Sequence, residues 1–180
     1  MEVWAADLWV DPSVVEPMLR DLRLHDQVHP VQADARALPF EDGFFDVIVS
    51  IDAWEYFGTD DHFLPGLLGV LRSGGWIGMA TPCMARDVRD LGAIPGHILD
   101  VVGWEALAWH SPEWWRQQWE LTGLVSSVRA RLQDSGWADW LRWSQAVQAR
   151  SGQDVDPVVE MLLADGGGLL SFALVSGTKL

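Results

Sequence analysis

Short apolar runs alternate along this chain with segments of helical period, and that alternation restricts the fold more than any other feature. The run Glu2–Ala6 in "EVWAADLWVDPS" reads as a buried strand that ends in an acid, Asp7. Pro12–Leu22 follows with Val14, Val15, Met18, Leu19 and Leu22 on helical spacing, and Asp11 or Ser13 is placed to cap it. Val28–Gln32 and Phe45–Ile51 are further strands, the second preceded by an Asp-Gly turn. Asp60–Leu71 reads as a helix closed by the glycines of "RSGGW", and Trp76–Ala80 as a strand stopped by Pro82. Strand and helix in turn predict an α/β fold with a mostly parallel sheet.

The second half continues the pattern. Residues 84–108 are irregular and suit a substrate lid or short helices. "HSPEWWRQQWELTG" has Ser111 as N-cap, Pro112 in the first turn, Glu113 after it and Gly123 at the end, which predicts a helix. Leu124–Arg131 is a strand. Residues 137–165 form a helical insertion, with helices at Trp137–Ala149 and Val155–Ala164, before a last strand at Leu169–Ser176. No repeat or linker divides the 180 residues, so a single domain is expected.

Composition excludes several function classes. Twenty-six acids against 12 bases give a formal charge of −14, which repels phosphate backbones and argues against nucleic acid. No apolar run approaches a membrane span, and no basic-then-apolar leader follows Met1, so a cytoplasmic protein is expected. The single cysteine, Cys83, excludes an intrachain disulfide, and no His, Asp and Glu cluster has metal-ligand spacing.

Chemistry concentrates at the strand ends. In parallel α/β sheets ligands bind beyond the carboxyl ends of the strands. Asp7, Asp34 and Asp52 each follow a strand. A carboxylate after the first strand can accept both hydroxyls of a ribose, the second can take an exocyclic amine of adenine beside the Ala35 N–H, and Asp52 faces the reacting end of a ligand. Each acid alone is equally a turn or cap residue; the three in this order carry more weight.

The segments "VWAADLW", "ADARALPFEDGFFDVIVSIDAWEYFG", "LLGVLRSGGWIGMATP" and "HSPEWWRQQWELTGL" resemble the class I S-adenosylmethionine-dependent methyltransferases of the small-molecule type. The resemblance covers nearly the whole chain. It implies a Rossmann-like sheet in the order 3-2-1-4-5-7-6 with an antiparallel C-terminal strand, on which these strands stand second to seventh. It implies that S-adenosylmethionine is the cofactor and a small molecule the substrate. By position, Asp7 and Leu8 lie at the ribose, Asp34 and Ala35 at adenine, and Ser50 and Asp52 below the methionine part. Trp54, Glu55 and Tyr56 enter the substrate side.

The resemblance also implies a first strand and a G-x-G-x-G loop, and neither occurs here. The domain is therefore expected to be N-terminally truncated, with Glu2–Ala6 and Phe45–Ile51 either unpaired at the centre of the sheet or paired with each other. Unpaired buried backbone groups cost about 1–3 kcal/mol each. Cofactor affinity is expected to suffer, because that loop contacts the methionine part.

Methyl transfer needs alignment foremost, and a base where the nucleophile loses a proton. Glu55, His97 and His110 are the candidate bases, with Tyr56 as an orienting hydroxyl. His110, beside the Ser111 cap, suits a local structural role. Of the clustered tryptophans, Trp115 and Trp119 share a helix face and suit the core, while Trp104 and Trp109 lie nearer the substrate side. Two readings stay open: an active small-molecule methyltransferase, or a non-catalytic remnant that forms a homodimer through exposed strand edges. A nicotinamide-dependent oxidoreductase is disfavoured, because no Tyr-x-x-x-Lys occurs and the sole lysine is Lys179.

Overall fold

The strands form where the apolar runs predict them, and their order sets the site. The computed structural model describes residues 1–152 and 154–180. Strand β1 (Val3–Asp7) leads through helix α1 (Pro12–Asp21) to β2 (Val28–Gln32). The Asp11 carboxylate caps α1 by accepting from the Ser13 N–H at 2.8 Å. Strand β3 (Phe45–Ile51) leads through the short helix α2 (Phe63–Leu67) to β4 (Leu71–Met84). Three helices follow, α3 (Val88–Leu91), α4 (Gly96–Val102) and α5 (Pro112–Leu121). Strand β5 (Val125–Leu132), helices α6 (Gly136–Ser151) and α7 (Pro157–Asp165), and strand β6 (Leu170–Lys179) complete the chain.

The strands form two hydrogen-bonded groups. β1 and β2 pair in parallel, and a four-stranded sheet runs in the order β3-β4-β6-β5. β3 and β4 are parallel, while β6 is antiparallel to both β4 and β5. With the strands numbered from the second position of the expected fold, this order is 3-2, a break, then 4-5-7-6. The Rossmann-like arrangement with an antiparallel last strand is therefore present. β1 and β3 do not pair with each other.

Three local expectations give way. The helix expected over Asp60–Leu71 shrinks to α2, which contains Pro65 and Gly66, and a 3-10 turn, Leu68–Val70; these two poor helix formers leave it short. The glycines of "RSGGW" form no helix cap. They sit in an irregularity of β4, where Phe45 faces Leu71 but Val47 already faces Trp76, and Gly74 takes φ +70°. β4 also continues through Pro82 to Met84. Beyond Ala80 its only strand neighbour is β6, so one side of the strand needs no N–H from Pro82.

Helices α2 and α5 cover one face of the sheet. Phe63, Leu64, Leu67, Trp115 and Trp119 pack there with Ile77, Met79, Ala173 and Val175. Ser111 caps α5, its Oγ accepting from the Trp114 N–H at 3.3 Å. A second cluster of Met84, Val88, Ile98, Trp109, Met161 and Leu162 joins α3, α4, α6 and α7. Lys179 closes the sheet, donating to the carbonyls of Leu68 and Leu71 at 2.6 and 2.7 Å. Among the described residues no helix is long and apolar enough to cross a membrane. Trp119 is fully buried against Trp54, so Trp119→Ala removes an indole the core cannot replace. It is expected to cost about 3–5 kcal/mol, read as a lowered midpoint in urea with little change in slope.

Candidate functional site

Parallel strands deliver their carboxyl ends to one edge, and each of the three strand-end acids meets a different local environment there. Asp7 closes β1. Its Oδ1 accepts from the N–H groups of Trp9 and Val10 at 2.7 and 2.9 Å, which folds the chain back toward α1. Its Oδ2 makes no hydrogen bond among the described residues. Leu8 is exposed beside it, and its carbonyl accepts from Gln32 Nε2 at 3.2 Å, tying the ends of β1 and β2 together.

Asp34 follows β2 and is engaged with Arg36. Its oxygens accept from Arg36 Nε and Nη2, at 2.9 and 2.6 Å, and from the Arg36 N–H. These bonds hold its carboxyl well down, at about 2. The expected adenine-side acid is thus paired with a guanidinium on the surface. The intervening Ala35 N–H has no partner among the described residues.

Asp52 takes the left-handed conformation, φ +52°, directly after β3. Asp tolerates this region better than bulkier residues do. Its N–H donates to the Ala80 carbonyl at 2.8 Å, the last bond between β3 and β4. Partial burial raises its carboxyl above the usual range. Ser50 lies half-buried two residues before it.

The turn at Asp52 feeds a 3-10 segment, Trp54–Tyr56, that drives Glu55 inward. Glu55 is only 3% exposed, and it accepts a hydrogen bond from Thr81 Oγ1 of β4. Burial raises its carboxyl to about 6, with the charges of Asp52 and Glu105 adding to the effect. Tyr56 points outward, and partial burial together with the carboxylates of Glu105 and Glu55 pushes its hydroxyl up to about 12. It therefore remains a donor at neutral pH.

His97 is turned elsewhere. Its Nε2 lies 3.5 Å from the Asp165 carboxylate of α7, which is itself buried and accepts from the N–H groups of Leu169 and Leu170. The structure thus gathers Asp52, Glu55, Tyr56 and Glu105, and it sets His97 against the helical insertion. His110 has a structural setting too. It is buried, stacks on Trp114 at 3.6 Å, and bonds the Asp87 carboxylate at 2.8 Å. Burial keeps its pKa below the ordinary histidine value. Asp87 also caps α3 by accepting from the Arg89 N–H, and Met84 donates its N–H to the Trp109 carbonyl. These bonds close the base of residues 84–108.

Sequence reasoning missed Thr81, Glu105 and Asp87. Thr81 was hidden because the expected strand stops at Ala80, just before it, whereas β4 runs on to Met84. Glu105 lies in an irregular stretch with no periodic signal. For Asp87, the acid three residues past the β4 strand and just ahead of α3 was an available cap signal.

Comparison with known proteins agrees with this arrangement. The family model for the methyltransferase domain matches residues 8–79. No curated protein sequence matches the chain. Geranyl diphosphate C-methyltransferase from Streptomyces coelicolor A3(2) superposes with a TM-score of 0.71 at 16% identity. That match covers 99% of this chain and 64% of the other, so the chain spans less than two thirds of the length of that relative. A putative sarcosine dimethylglycine methyltransferase from Galdieria sulphuraria gives a TM-score of 0.71 at 16% identity, over 98% and 69% of the two chains. The cyclase SpnF gives 0.69 at 15%, over 99% and 67%. The chain therefore has the fold of these methyltransferase structures, and its residues 8–79 match the methyltransferase-domain model.

Proposed function

We propose that the protein is an S-adenosylmethionine-dependent methyltransferase acting on a small molecule. The observation that carries this reading is the buried Glu55–Thr81 pair at the carboxyl edge of the sheet, on the same edge as the strand-end acids Asp7 and Asp52. The solved structures of similar fold support it, since one is titled as holding geranyl diphosphate together with S-adenosyl-L-homocysteine.

The residues suit the cofactor. Asp7 Oδ2 is a free acceptor for ribose hydroxyls, and the Ala35 N–H is a free donor for an adenine ring nitrogen. Asp34 can take an exocyclic amine once Arg36 swings aside, which an exposed ion pair resists only weakly. Ser50 and Asp52 line the methionine side. When bound, S-adenosylmethionine supplies an electrophilic methyl group on a positively charged sulfur.

The remaining chemistry falls to the chain. The Glu55 carboxylate, fixed by Thr81, accepts the proton that the attacking hydroxyl, amine or acidic carbon loses. A carboxyl titrating at about 6 is a better proton acceptor than a solvent-exposed glutamate, yet it is ionised at neutral pH. Tyr56 donates a hydrogen bond that orients the substrate. Trp104 stands exposed on the 3-10 segment Gly103–Ala108 next to Glu105, and residues 84–108 act as the lid.

Two measurements test this reading. Calorimetric titration of S-adenosylhomocysteine should show binding that Asp7→Ala weakens roughly ten- to a hundredfold, the worth of charge-assisted hydrogen bonds. Arg36→Ala should tighten binding by freeing Asp34; unchanged affinity in both variants would overturn the assignment. Methyl transfer should fall as pH drops through about 6, where Glu55 takes up a proton, and Glu55→Gln should abolish transfer while leaving cofactor binding intact.

The same group leaves a stability signature independent of any substrate. The folded state holds the Glu55 proton to about 6, against an ordinary 4.5, so folding is favoured below that window and loses about 2 kcal/mol as pH rises through it. Glu55→Gln should therefore melt higher than the wild type above pH 6 and match it below pH 4.5. A uniform difference at all pH values would place Glu55 outside the buried pair.

A further inference from the structure

The chain pairs many of its acids with arginines, but not those around Glu55. Seven arginines form ion pairs, from Arg20 with Glu16 to Arg142 with Asp139. Among the described residues none of them pairs with Asp52, Glu55 or Glu105. The sole lysine is turned to the carbonyls of Leu68 and Leu71. An excess of acids leaves some unpaired on any surface, but Glu55 is not a surface acid, being 3% exposed.

Packing brings Glu105 to the same place. The segment Gly103–Ala108 docks at the end of β4, where Ala106 is buried with Met84 and the Trp109 carbonyl accepts from the Met84 N–H at 3.1 Å. Thr81, the partner of Glu55, stands three residues before Met84 on that strand. Glu105 is thus exposed close to the Glu55–Thr81 pair, and its charge reaches both Glu55 and Tyr56.

Glu55 itself points to a ligand. Its Oε2 accepts from the Thr81 hydroxyl, and no other described residue donates to Oε1. An open acceptor on a buried carboxylate is costly until a donor reaches it. Water brings a donor, whereas a cation brings a donor and the missing charge. Clefts lined by one sign of charge concentrate the opposite sign. With Asp52 serving the methionine side of the cofactor, Glu55 and Glu105 are left to face the methyl acceptor. A phosphate or carboxylate would enter against both charges. A metal-bridged diphosphate fits no better, because among the described residues no three His, Cys, Asp or Glu side chains gather to hold an ion.

We infer that the methyl acceptor is an amine that enters as its ammonium form, held by Glu105 and deprotonated by Glu55. The inference rests on the methyltransferase reading and names the acceptor of that site. The ammonium gives one proton to the Glu55 carboxylate, and the freed lone pair on nitrogen forms the bond to the methyl carbon. The carbon–sulfur bond breaks with its electron pair going to sulfur. The product nitrogen is again cationic, and the proton on Glu55 passes to water. An alkyl ammonium ordinarily titrates at about 10, so the free amine is the minor species and transfer draws on it.

The first test needs no methyl transfer. The side-chain carboxyl shifts of Glu55 and Glu105 are followed by NMR in the presence of S-adenosylhomocysteine. Methylammonium chloride, sodium chloride, methyl phosphate and magnesium diphosphate are added in turn. Methylammonium should move both carboxyls and saturate. Glu105→Gln should weaken that binding about two- to fivefold, the worth of an exposed ion pair. Equal shifts with sodium, no saturation by methylammonium, unchanged binding in Glu105→Gln, or saturation by either phosphate compound overturns the inference. In turnover, primary amines should be methylated faster than alcohols of the same skeleton, with a rate that climbs above neutral pH. Alcohols turned over in preference to amines overturn it too. Failure of the methyltransferase reading shows separately, as no binding of S-adenosylhomocysteine in calorimetry, whatever methylammonium does.

Discussion

The pairing of β4 with β6 is the interaction on which the rest of the structure depends. It runs without a break from Trp76 opposite Thr178 to Met84 opposite Leu170. It carries β4 past Pro82, and so it delivers Thr81 to the depth where Glu55 arrives from the turn after β3. Its two ends are used as well. Lys179 reaches the carbonyls of Leu68 and Leu71 at one end. At the other, Met84 and Ala85 donate to Trp109 and Leu169, which ties residues 84–108 and the α6–α7 insertion to the sheet. An antiparallel strand added to a parallel sheet thus fixes both the hydrogen-bond partner of Glu55 and the segment above it.

The strand–helix alternation was legible because its strands are apolar on both faces and its helices begin with recognisable caps. β2 and β3 fall on their expected residues, and α5 starts at the Ser-Pro signal. The strand-end acids were legible for the same reason, since the strands locate them. What sequence could not supply was pairing. Whether Pro82 ends a strand depends on how many neighbours that strand has, and β4 loses one of its two at Ala80. Whether "RSGG" caps a helix or kinks a strand depends on the register with β3.

The side-chain partners were hidden likewise. Glu55 and Thr81 are 26 residues apart, Asp87 and His110 are 23 apart, and no local periodicity links either pair. His97 shows the converse. A histidine in an irregular stretch invites a catalytic role, and the structure sets its Nε2 3.5 Å from the buried Asp165 of a helix 68 residues away in sequence. Tertiary pairing decided each of these against the local signal.

The site itself turns on a conflict between Asp52 and Glu55. Both carboxylates follow one strand, both are raised by burial, and the Asp52 charge adds to the rise at Glu55. The chain could relieve this by swinging Glu55 outward, yet the left-handed turn at Asp52 and the 3-10 segment after it direct Glu55 into the protein. The Thr81 hydroxyl returns only part of the desolvation cost, because one neutral donor does not replace the water shell of a carboxylate. A buried acid held at this cost contributes less to stability than an apolar residue of its size would. Folding alone therefore does not account for its position, and the proposed role in proton transfer would.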